Sequence, residues 1–195
     1  MDFSSLWERI TDFLSYNDLH PLLFTHVEFW VFFLILGIGL ILIDKRNTPR
    51  VVYLFAFSLL FYYKSCGLFF LLILLSIVFN YWVGIFLGRY KAHRVRKTIL
   101  SVAVGLNLLL LVYFKYTLFF VNSINELFDT TITHTNIFAH FLGWIVGNPS
   151  SVTMVLLPVG ISFYTFQAIS YVVDVYRGDI APLHRIIDFG FYLSF

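Results

Sequence analysis

Between Leu156 and Gly178 the chain reads LLPVGISFYTFQAISYVVDVYRG, an apolar run crossed by side chains that can hydrogen-bond or carry charge. Gln167, Ser170, Asp174 and Arg177 are separated by three, four and three positions, spacings that align them along one side of a helix. Ser162 and Thr165 are expected to widen that side toward the helix start, with Tyr164, Tyr171 and Val175 opposite. An amide, hydroxyls and a carboxylate on one stripe can hold a polar substrate. Such groups are costly in hydrocarbon unless paired, so the stripe is expected to face protein or a water-filled cavity. Pro158 removes a backbone donor and Gly160 loosens the chain, which is tolerated where irregular backbone lines a cavity. A plainer reading gives the hydroxyls bonds back to their own helix and makes Asp174–Arg177 an ion pair at the membrane edge. The residues alone weigh the two readings about evenly.

Other candidate chemistry is weaker. His20, His26, His93, His134, His140 and His184 show no i, i+4 pair on one expected helix. None joins cysteines or carboxylates in a metal-ligand pattern, so no metal site is expected. GISFY around Ser162 lacks the second glycine of a nucleophile elbow and the strand that should precede it. The single Cys66 excludes an intramolecular disulfide and reads as a small residue at a helix end.

The elements that must position the stripe follow from composition. Of 195 residues, 59% are hydrophobic, 21% aromatic and only 12% charged. Soluble domains carry about 25% charged residues, so an all-α, polytopic membrane protein is expected. About 20 apolar residues cross a bilayer. The runs at 27–43, 51–66, 67–87, 98–120 and 152–173 fit five spans, and 186–195 reads as the opening of a sixth. No cleavable signal peptide is expected, because the leader 1–26 is acidic and no cleavage pattern follows the first apolar run. One membrane domain, 1–195, accounts for the chain.

Charge orients it. Lys45, Arg46 and Arg50 fill one loop, and Arg89, Lys91, Arg94, Arg96 and Lys97 another. Both are expected on the cytoplasmic side of the inner membrane, with the N-terminus external. The second basic run also fits a lipid-headgroup or nucleic-acid patch, but a solvated topogenic loop is the simpler reading, and no nucleic-acid partner is expected. Lys64 and Lys115 are placed at outer helix ends with their ammonium groups reaching water, and Tyr62, Tyr63, Tyr81 and Trp82 as interfacial aromatics. Lys64–Gly67 is expected to be a tight turn between two spans. The 121–151 segment is expected outside, and GxxxG pairs at Gly84/Gly88 and Gly143/Gly147 are read as helix-packing sites.

The stretch LPVGISFYTFQAISYVVDVYRG resembles the signature of the membrane-bound O-acyltransferase (MBOAT) family, in its bacterial branch of alginate O-acetylation and D-alanine transfer. LNLLLLVYFKY (106–116), FSLLFYYKSCGLFFLLILLSIVFNYWVG (57–84) and the final DFGFYLSF are similar to neighbouring helices of that branch. The resemblance covers nearly the whole chain. It implies the N-terminal portion of a longer, truncated MBOAT-like fold, with the catalytic histidine on a later helix and no catalytic residue among these six histidines. It implies a site or channel role for Pro158, Gly160, Ser162, Tyr164, Gln167, Ser170, Asp174 and Arg177. It also implies transfer of an acyl group, acetyl foremost, to a hydroxyl of a cell-envelope polymer. The donor would be a cytoplasmic thioester, acyl-CoA or an acyl carrier protein, with no cofactor bound and an extracytoplasmic acyl-transfer protein as partner beside the lipid bilayer. The competing readings are an inactive membrane scaffold and, with less support, a transporter, for which no inverted repeat or paired intramembrane charge is visible.

Overall fold

The structure, a computed structural model, describes residues 27–43, 47–130 and 160–195. Among them every regular element is helical: α1 (Val27–Leu42), α2 (Asn47–Cys66), a 3₁₀ turn (Gly67–Phe69), α3 (Phe70–Arg89), α4 (His93–Phe128), α5 (Ile161–Arg177) and α6 (Ile186–Ser194). The all-α expectation therefore holds for the described residues. Thr48–Arg89 and His93–Thr117 are long and apolar enough to cross a membrane, and Phe29–Leu42 is a shorter apolar helix. Large apolar side chains stand outward, among them Trp30, Leu109 and Phe119, each more than 60% exposed. That is the reverse of a water-soluble surface and the arrangement a hydrocarbon solvent favours.

Two compact units divide the chain inside α3, one holding residues 27–81 and 183–195, the other 82–182. In the first unit, aromatic side chains of α1 and α2 interdigitate, with Phe32 4.6 Å from Phe57 and Phe29 5.8 Å from Phe61 between ring centroids. Gly39 has room only for hydrogen, because the Tyr53 ring lies over its backbone, and the Tyr53 hydroxyl donates to the Leu36 carbonyl at 3.4 Å. At the other side of α2, Ser58 Oγ donates to the Ser194 carbonyl at 2.6 Å, tying α2 to α6. The amide of Asn80, wholly buried, donates to the Ser76 carbonyl at 2.9 Å. Tyr81 Oη reaches the His184 carbonyl at 2.8 Å.

The run from 48 to 89 is interrupted once. Gly67 takes φ +56° after Cys66 at φ −129°, a left-handed step that glycine makes without a Cβ penalty. The turn is expected at an outer, water-facing helix end, and the structure corrects this. Lys64, Ser65, Cys66, Gly67 and Phe69 are all buried. Lys64 is thus not reaching water: the chain folds the residues around the break inward, and the lysine goes with them. Lys115 is exposed, its ammonium 5.5 Å from the Tyr116 ring centroid.

In the second unit, α4 has 36 residues, about 54 Å of helix, against a hydrocarbon core of about 30 Å. It starts five residues before the expected span and ends eight beyond it, at Asp129 in the left-handed conformation. Nothing in 93–128 breaks a helix: proline is absent and Gly105 is the lone glycine. Part of the segment expected as an external loop, 121–128, is therefore helix, while 131–151, including Gly143 and Gly147, lies outside the described residues, as does the leader.

Candidate functional site at the α4–α5 interface

The polar stripe of α5 is framed by two glycines. Gly160, at φ +74°, precedes the helix, and its carbonyl accepts from the Tyr164 amide at 3.0 Å. Gly178, at φ +85°, ends it: its N–H donates to the Asp174 and Val175 carbonyls, and the Asp179 N–H also donates to Asp174, at 3.0 Å. This left-handed closure satisfies carbonyls that a helix end leaves open. Pro158 lies outside the described residues.

The next carbonyls are taken by an arginine. Arg96, in the first turn of α4, donates through Nη2 to the carbonyls of Val175 at 3.1 Å and Tyr176 at 2.6 Å. Its guanidinium carbon stands 5.3 Å from the Tyr176 ring centroid, and the His93 ring is 6.3 Å from the same ring. A cation at a helix C-terminus is also favoured by the helix dipole. Because the start of α4 meets the end of α5, the two helices run antiparallel. An equal rise of about 1.5 Å per residue then brings Ala103 level with Ala168, both buried, where small side chains permit close approach. It also brings Asn107 level with Tyr164 and Thr165, all three buried. Asn107 Nδ2 donates to the Ala103 carbonyl at 2.8 Å.

The face of α5 turned inward is Ile161, Tyr164, Thr165, Ala168, Tyr171, Val172 and Val175. Of the stripe, Ser170 and Arg177 are exposed, and Ser162, Gln167 and Asp174 are half-buried. Exposed Phe163 and Phe166 accompany them. Tyr164, Tyr171 and Val175 are about 60°, 40° and 80° around the helix from Gln167, so they lie beside the Gln167–Arg177 line on its buried flank and not opposite it. Thr165 does not widen that line: two residues are about 200° of helix, which places it across from Gln167, wholly buried. Thr98 and Thr117 bond back to carbonyls four residues earlier, whereas Thr165 Oγ1 has no hydrogen bond among the described residues.

A third element closes on α5. A Cβ on Gly84 of α3 would meet Tyr171 Oη at 2.5 Å, and one on Gly88 would meet Pro182 Cγ at 2.5 Å. The Gly84/Gly88 pair is thus a packing site within this chain. Sequence reasoning missed Arg96, hidden among loop cations, and Asn107, whose signal was an amide alone in an apolar run. Among the described residues no group of three or more histidines, cysteines or carboxylates could hold a metal ion.

The sequence relatives are bacterial O-acetylases, so the chain is similar to proteins of the membrane-bound O-acyltransferase type, alginate O-acetylases foremost. It is 36% identical over 174 residues to alginate O-acetylase AlgI of Pseudomonas aeruginosa, covering 89% of this chain and 31% of that protein. AlgI of Pseudomonas syringae is 33% identical over the same shares. The peptidoglycan O-acetyltransferase of Helicobacter pylori is 30% identical over 60% of this chain and 19% of its own length. The chain thus spans about a third of the length of the alginate O-acetylases it matches. No family profile matches it, and no solved structure matches it.

Proposed function

We propose that these residues form part of an integral membrane O-acetyltransferase that moves acetyl from a cytoplasmic thioester to a hydroxyl of an extracytoplasmic polysaccharide. The observation carrying this reading is the 36% identity to an alginate O-acetylase across 89% of the chain. In the reaction, the hydroxyl oxygen forms the new ester bond at the acyl carbon and the carbon–sulfur bond breaks. The hydroxyl proton passes through a general base to the leaving thiolate. A histidine in that role accelerates such an attack by roughly a hundred- to ten-thousand-fold. On this reading that histidine lies outside these 195 residues.

Donor and acceptor approach from opposite sides, so the reacting atoms must meet inside a passage through the membrane. The contribution of this segment is the α5 stripe, with Gln167 and Asp174 at the margin of the α4–α5 contact and Ser170 and Arg177 further out. The exposure of Ser170 and Arg177 among the described residues leaves them available to the rest of a full-length protein. On this reading the α3–α4 corner faces the cytoplasm and the N-terminus lies outside the inner membrane, an orientation supported by the charge of the basic loops. On this reading an acyl carrier on the inner side and an acyl-transfer protein on the outer side are its partners.

The test uses the full-length protein in a host lacking its own activity, with ester-linked acetyl on the exported polysaccharide as the readout. Gln167→Leu with Asp174→Leu is expected to lower acetylation at least ten-fold while membrane abundance stays within two-fold, on the order of what one misplaced polar group costs a reaction. Wild-type acetylation in that variant would remove the stripe from the mechanism. Failure of the wild-type protein to acetylate would remove the proposed activity itself.

A further inference from the structure

The basic run at the α3–α4 corner separates into two kinds of cation. Arg96 is half-buried and spent on α5 carbonyls. Arg89, Lys91, Arg94 and Lys97 are exposed, and none of the four has an ion pair or side-chain hydrogen bond among the described residues. A topogenic loop needs only its charge, not a position for it. Here the position is specific. Trp82, Phe86 and Arg89 are spaced by four and three residues on α3, one helix face. Trp82 and Phe86 are half exposed with rings 6.0 Å apart. On α4, Arg94 is followed on its own side by Thr98 and Val102, both exposed. Arg89 therefore ends an outward aromatic row on α3, and Arg94 heads an outward row of Thr98 and Val102 on α4.

We infer that this corner is a binding site for an anionic phospholipid, with the phosphate among Arg89, Lys91, Arg94 and Lys97 and the acyl chain along Trp82 and Phe86. Two features select a lipid over a soluble phosphate. The cations are continuous with exposed hydrocarbon-facing side chains, which an amphiphile covers and a soluble anion does not. The cluster also has four cations within nine positions beside a membrane-spanning helix, the pattern that attracts anionic headgroups. Asp174 and Asp179, the acidic residues at the end of α5, make no ion pair with these four cations among the described residues; at Asp174 it is the main-chain carbonyl that accepts from the Gly178 and Asp179 N–H groups. The inference is independent of which acyl group the protein moves.

The experiment is native mass spectrometry of the full-length protein in detergent, with phosphatidylglycerol, phosphatidylcholine or coenzyme A added. Wild type is expected to retain phosphatidylglycerol over phosphatidylcholine. Each cation near a membrane surface is worth about a five-fold change in binding, so Arg89→Gln with Arg94→Gln is expected to reduce that preference about 25-fold. Arg185→Gln, an exposed cation outside the corner, is expected to leave it intact and serves as the control for net charge. Because charge removal can disturb insertion, the accessibility of a probe cysteine is read on both variants, and Arg89→Lys with Arg94→Lys keeps both charges and should keep the preference. Equal retention of the two lipids by wild type would overturn the inference. So would loss of preference in Arg185→Gln equal to that of the double variant, loss in the charge-preserving pair, or displacement of the lipid by micromolar coenzyme A.

Discussion

Replacing Gly84 by alanine isolates one close contact. A Cβ there would lie 2.5 Å from Tyr171 Oη and 2.8 and 2.9 Å from two ring carbons. Tyr171 is 2% exposed, so its ring has nowhere to swing and a helix must shift instead. Overpacking of this kind costs about 1–3 kcal/mol. Alanine recovers about 0.5–1 kcal/mol over glycine inside a helix, which leaves a net loss of up to about 2.5 kcal/mol. Gly105→Ala supplies the reference, since nothing lies within 4 Å of its added Cβ, and it should gain about 0.5–1 kcal/mol. The same chemical change thus carries opposite signs at two helical positions. Equilibrium unfolding in mixed micelles measures both. Tyr171→Phe in the Gly84→Ala background removes the 2.5 Å contact but keeps the ring carbons, so it should restore part of the loss. If Gly84→Ala is as stable as Gly105→Ala, the close packing of α3 on α5 is wrong.

Arg96→Ala strips the charged donor from the Val175 and Tyr176 carbonyls and should destabilise by about 2–3 kcal/mol, with Arg96→Lys recovering part of it, because an ammonium can donate to both carbonyls as Nη2 does but lays no planar group against the Tyr176 ring. Equal stability of wild type and Arg96→Ala in the same unfolding assay would contradict the latch. Ser58→Ala removes the bond to the Ser194 carbonyl and should cost about 0.5–1.5 kcal/mol, checked by proteolysis of α6 in the folded state. Thr165→Val replaces a buried hydroxyl lacking a bond with a methyl of similar shape, so stability should be unchanged or rise by up to about 1 kcal/mol; a loss larger than that would show the hydroxyl to be bonded.

Much of the fold was legible because its signals are local. Apolar runs of spanning length, basic clusters between them and the absence of proline from 93–128 all act on a few neighbouring residues. Gly84 and Gly88 were legible as a packing pair, since a four-residue interval on a helix is a geometric fact. Less legible was what each side chain meets. Lys64 reads as a lysine at a helix end, and only the burial of the broken turn at Cys66–Gly67 takes it from water. Thr165 and Gln167 are both polar and two residues apart, yet one is sealed inside the helix pair and the other stands at its margin.

From its sequence alone this protein was determined to be helical, apolar outward and akin to the acyltransferases, because composition, spacing and the GISFYTFQ signature need no partner to be read. Which of five neighbouring cations would turn inward was settled only by tertiary structure. Arg96 and Arg94 differ by two positions, about 200° around a helix; the one aimed at α5 finds open carbonyls, and the other finds none. Pairing across helices separated by 80 residues depends on where the chain returns, and no local pattern carries that information.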